Sequence, residues 1–136
     1  MKRFLLLALP LLVLTMAVFH FAVAALGRAP DLSGARLAGP GPQSWAVAGA
    51  WLLESLALAA LFLLVQGVAG GRLLNGLLTG WIAWVFRGPL LVISVVTLAG
   101  QPAAPWWSLT LGWLLLYSIC GLLLGFLASA SGLPPS

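Results

Sequence analysis

Few residues in this chain can do chemistry. Among 136 residues there are two acids, six basic residues, one histidine and one cysteine. Glu54, Arg87, His20 and the single tyrosine, Tyr117, all fall inside long apolar runs. A carboxylate and a guanidinium can pair bidentately. A buried phenol usually finds a hydrogen-bond partner, and an imidazole titrates near neutrality. Together such groups could carry a proton, bind an anion or tie helices to one another. Enzyme chemistry fares worse. There is no second carboxylate near Glu54 in sequence, no His or Cys cluster with metal-ligand spacing, no serine–histidine arrangement with a buried acid and no glycine-rich phosphate loop after a strand. We expect a non-catalytic protein with no cofactor and no bound metal.

The elements that must hold these residues are membrane helices. The chain is 62% hydrophobic and 6% charged, against about 25% charged in a soluble domain. The six basic residues are scattered and form no patch, so nucleic acid is not an expected partner. Four runs reach the roughly 20 apolar residues that a bilayer crossing needs: about 4–26, 44–68, 73–98 and 106–128. In lipid the backbone must satisfy its own hydrogen bonds, so each is a helix. The expected fold is all-α, a single domain over 1–136, forming an antiparallel bundle of four transmembrane helices. The link 27–43, with "AGPGPQ", has the glycine and proline content of an irregular loop. The first span resembles a signal peptide, with "MKR" and then "AVA" at 22–24. Its apolar stretch is long for a signal, and we expect it to be retained.

Lys2, Arg3 and Arg72 flank one side of the spans, Arg28 and Arg36 the other, which places both termini in the cytoplasm. Trp45, Trp106 and Trp107 then mark the outer headgroup belt. Abundant Ala, Gly and Leu, with five arginines to one lysine, suggest a GC-rich bacterial genome and hence a bacterial inner membrane. Expected partners are the lipid bilayer and either a homo-oligomer or a larger membrane complex.

Counting from the turns sets depths. The link "AGGR" at 69–72 forces a hairpin between the second and third spans. Glu54 and Arg87 are equally far from its centre, so they lie level on neighbouring helices, each near mid-span. A charge at mid-bilayer costs about 2.5 kcal/mol or more, and two opposite charges at one depth offset that cost. A Glu54–Arg87 contact follows. Counting from the centre of the loop 99–105 sets Tyr117 level with Arg87, with Glu54 or a carbonyl freed at Pro89 as its partner. His20 falls about one turn outward of Glu54 and Thr15 closer to its level, so both are candidates for a relay. Gly76, Gly80, Ala83 and Arg87 share one face of the third span, and Tyr117, Gly121 and Gly125 one face of the fourth. Small residues at this spacing let helices approach closely. Pro89 removes a helix hydrogen bond and Gly88 loosens the same turn, which makes "FRGPL" a kink or hinge. Cys120, Asn75 and Gln66 read as packing residues.

An ionisable residue inside a membrane is a functional candidate by default. The plainer reading of Glu54 and Arg87, a structural pair that fixes helix register, is the one we favour. Two functions remain. One is an accessory or structural bundle that works through contacts. The other is a small oligomeric transporter or channel using Glu54 and Arg87 as a proton- or anion-handling centre.

With these motifs placed, the chain resembles small uncharacterised bacterial four-helix integral membrane proteins grouped as domains of unknown function. The resembling features run from about Leu52 to Ala128: Glu54 in the second span, "GGRLLNGLLTG" at the hairpin, Trp84, "AGQPAAPWW" and "GWLLLYSICGLLLGFL". The resemblance implies the four-span topology and brings no activity with it.

Overall fold

The computed structural model describes residues 1–25, 44–100 and 102–133. The expected outer loop 27–43 and the Trp45 side chain lie outside the described residues. Helix α1 spans Lys2–Ala25, α2 Ser44–Val65 and α3 Arg72–Val85. A π-helical turn over Phe86–Leu90 joins α3 to α4, Leu91–Ala99, and α5 covers Ala103–Ala130. The segments α3, π turn and α4 make one continuous span, so the described residues form four helices. Each is long and apolar enough to cross a membrane: Lys2–Val23, Val47–Val65, Arg72–Leu98 and Trp106–Ala130.

Leucine, alanine and phenylalanine fill these helices, and glycines stop them. Gly67 with φ 88° and Gly100 with φ 62° take the left-handed conformation that ends α2 and α4. The outer surface is apolar rather than charged. Leu64 is 80% exposed, Leu53 69% and Phe86 67%, a pattern suited to lipid and costly in water.

The core lies toward the end that holds the start of α1 and the α2–α3 hairpin. Phe4, Ala8, Leu12 and Met16 repeat every four residues along α1 and are buried against Leu58 and Phe62 of α2 and Leu124 and Ala128 of α5. The Phe4 and Phe62 rings stack at 5.7 Å. Arg72 closes this end by donating to the backbone carbonyl of Leu133. The hairpin link is tied by a side chain: Asn75 Oδ1 accepts the Ala69 backbone N–H at 2.7 Å. Asn75 is thus more than a packing residue. Asn75→Ala would take the acceptor from that half-buried amide, and we expect a loss of about 1 kcal/mol. Thermal unfolding in detergent would show the loss, and the Ala69 amide would exchange faster.

The closest helix contact is α3 against α5. Gly76 faces Gly121, Gly80 faces Tyr117, and Gly125 faces Arg72, stepping by about four in opposite directions along the two helices. A Cβ built on Gly76 would collide with the Gly121 carbonyl oxygen, and one on Gly121 with the Gly76 carbonyl oxygen. The hydrogens that replace those Cβ atoms therefore point at carbonyls across the seam, a geometry in which Cα–H···O contacts support helix pairing. This register differs from the one counted from the loop. Tyr117 lies opposite Gly80, not Arg87, an offset of about 10 Å at the helical rise. Two features shift it this way: α5 begins at Ala103, so the connection is short, and the π turn spends an extra residue without a full rise.

Candidate functional site

The π turn positions the arginine. Pro89 has no N–H to give to an α-helical turn, and the wider turn over Phe86–Leu90 carries the chain past it without ending the span. Gly88 is buried here, where a Cβ would meet Trp84 Nε1 at 2.9 Å and Thr110 Cγ2 at 3.0 Å. Trp84 Nε1 donates to the Thr110 carbonyl at 2.9 Å, which pins the turn against α5. The segment expected to be a kink or hinge is a π turn that continues the span, with Gly88 buried against Trp84 and Thr110.

Arg87 Nε stands 3.9 Å from Glu54 Oε1. Tyr117 Oη donates to the same carboxylate oxygen. The three residues come from α2, the π turn and α5. The offset between Tyr117 and Arg87 along their helices is bridged by side-chain direction. Helical side chains lean toward the N-terminus of their own helix, and α3 and α5 run in opposite directions. Arg87 leans back toward the hairpin while Tyr117 leans toward the other end, and they converge on Glu54. The Arg87 Cζ also lies 5.5 Å from the centre of the Trp113 ring, a cation–π contact.

The centre is not enclosed. Tyr117 is buried, whereas the side chains of Glu54 and Arg87 are 25% and 53% exposed. The sequence predicts a buried polar centre of Glu54, Arg87 and Tyr117; of the three only Tyr117 is buried, and α2 and α3 leave a cleft between them on their outer side. Its volume is about 350 Å³, and Glu54, Arg87 and Tyr117 share its lining with Ala57, Leu58, Leu61, Ala83 and Phe86. The volume is near the lower end of the range for small-ligand pockets.

The relay candidates sit elsewhere. His20 is exposed and makes an edge contact with the Trp51 ring at 5.4 Å, one turn along α2 from Glu54. Thr15 donates to the Leu11 carbonyl of its own helix at 2.8 Å. Among the described residues neither is hydrogen-bonded to Glu54. The level of Glu54 is instead linked to α1 through Ser55, whose hydroxyl meets Met16 Sδ at 3.7 Å. Cys120 is buried. Among the described residues no three His, Cys, Asp or Glu side chains lie close enough to hold a metal ion.

Trp113 was missed in the sequence, although a signal was present: it precedes Tyr117 by four residues and so shares its face. Tyr117→Phe would remove one hydrogen bond from the carboxylate and keep the ring. We expect a loss of about 1 kcal/mol, read as a lower unfolding midpoint in detergent, with helical content unchanged.

Fold and site define the class: an all-α protein of four helices long and apolar enough to cross a membrane, with an acid, a guanidinium and a phenol gathered near mid-helix. Comparison with protein-family models, curated proteins and solved structures gives no match.

Proposed function

We propose that this is a small non-catalytic protein of the bacterial inner membrane, with both termini in the cytoplasm, that works by contact inside the bilayer. The observation that carries the reading is the lateral opening of the Glu54–Arg87–Tyr117 centre. A pair that served only to lock the helices of one bundle would be favoured by burial between them. Here the Arg87 side chain is 53% exposed and lines a cleft walled mostly by apolar residues. A polar group at this depth favours association with another polar group over contact with lipid tails.

The competing reading, transport of a proton or small anion, draws on the same cleft, because Glu54 and Arg87 both line it. Purified full-length protein in vesicles loaded with a pH-sensitive dye separates the two. Contact function predicts proton leakage equal to that of empty vesicles. Leakage above that level, abolished in Glu54→Gln, would establish transport instead. Reporter fusions at each end test the orientation.

A further inference from the structure

We infer that the open face of the Glu54–Arg87 centre is the interface with a second copy of this chain, in which Arg87 of each copy pairs with Glu54 of the other. The inference rests on the contact reading above and names the partner.

The argument starts from position. Glu54 and Arg87 stand side by side at one level, on adjacent helices that border the same cleft. Two copies related by a two-fold axis along the membrane normal meet face to face. The left side of one then opposes the right side of the other, and levels are preserved. Arg87 of each copy opposes Glu54 of its partner, which gives a ring of four alternating charges. An isologous interface needs this self-complementarity, and the chain supplies it with the two opposite charges it carries near mid-span. An inverted pairing, with the axis in the membrane plane, would set Arg87 against Arg87. The charge pattern therefore selects two copies inserted the same way.

Chemistry points in the same direction. The contact within one chain is an ion pair at 3.9 Å, longer than a hydrogen bond. A guanidinium carries five N–H donors, and here its side chain is 53% exposed at mid-span. Glu54 already accepts from Tyr117 and keeps lone pairs for a second donor. A partner's Arg87 would supply that donor, and a partner's Glu54 an acceptor. The surroundings suit a helix-to-helix contact. Ala57 is small and exposed on α2, while Phe86, 67% exposed, stands on the opposite wall.

Two differently tagged full-length copies, co-expressed, extracted in mild detergent and purified through one tag, test the pairing. Wild-type copies should bring down the second tag, and light scattering should give the mass of two chains. Tag recovery should fall about tenfold for Glu54→Gln with Glu54→Gln, and likewise for Arg87→Gln with Arg87→Gln, since neither combination retains a pair across the interface. Mixing Glu54→Gln with Arg87→Gln restores one intermolecular pair and should recover most of the signal. An ion pair confined within each chain cannot produce that rescue, because it is broken in both variants. A cysteine pair that leaves the charges intact covers the case in which either variant fails to fold. With Cys120→Ala throughout, Ala57→Cys in one copy should form a disulfide with Phe86→Cys in the other, whereas Leu122→Cys copies on the α5 surface should not cross-link. A single-chain mass for the wild type in both detergent and lipid discs would overturn the inference, as would loss without rescue on mixing. So would a monomer that retains an anionic lipid through Arg87. A monomer without proton leakage would leave the contact reading standing and remove only the second copy as partner.

Discussion

Gly80→Ala is expected to cost about 3 kcal/mol or more, the upper part of the range for overpacking. The added methyl would fall on the Tyr117 carbonyl oxygen, with the carbonyl carbon 2.9 Å away. Both are backbone atoms of a long helix, which cannot swing aside as a flexible side chain can. Relief would require α3 and α5 to separate along the seam that holds Gly76, Gly121 and Gly125 in the same kind of contact. Separation would also move the π turn away from Tyr117 and so disturb the polar centre. A fall in unfolding midpoint on the order of 10 °C would accompany such a loss. Gly49→Ala provides the control. That glycine lies within α2 with nothing inside 4 Å of a built Cβ, so alanine there should be neutral or stabilising by up to about 1 kcal/mol. Thermal unfolding of the two variants side by side checks both claims. Equal midpoints would mean that the α3–α5 approach is looser than described.

The second large effect concerns charge. Glu54→Leu leaves Arg87 without its carboxylate at mid-span and removes the acceptor of the Tyr117 hydroxyl. Breaking a buried pair from one side costs about 3–5 kcal/mol, and the partial exposure of Arg87 places this one nearer to about 2 kcal/mol. Arg87→Leu should cost less, because Glu54 retains Tyr117 and a carboxylate without a counter-ion can take up a proton. The order, Glu54→Leu worse than Arg87→Leu, is checked by chemical unfolding in bicelles. The reverse order would show that Tyr117 does not stabilise the carboxylate.

Much of this arrangement is legible in the chain. Four apolar runs must become helices, because lipid offers no alternative partner for the backbone. A short link fixes the antiparallel hairpin, and equal counting from it brings Glu54 to Arg87. The glycines on one face of each helix mark the seam. Less legible was anything set by the path of the chain through the "FRGPL" segment and the turn after it. A proline in a helix can be met by a kink or by a wider turn, and local sequence does not choose between them. Here the clamp at Gly88 by Trp84, one turn back, and by Thr110, 22 residues further along the chain, accompanies the wider turn. The register of Tyr117 depends on that turn and on where α5 begins, so counting from a loop centre misplaced it by about two turns. It still reaches Glu54 because two antiparallel helices aim their side chains toward each other. The exposure of Arg87 was hidden for a similar reason: equal depth says nothing about which way a pair faces around the bundle.

The central claim is that Glu54 and Arg87 act as one energetic unit within the membrane. The most direct test is the fourth corner of the mutant cycle, Glu54→Leu with Arg87→Leu, measured against both single variants and the wild type in bicelles. If the residues are coupled, the double variant will be more stable than the sum of the single losses allows, by about 1–2 kcal/mol. Losses that simply add would contradict the account and make the two charges independent.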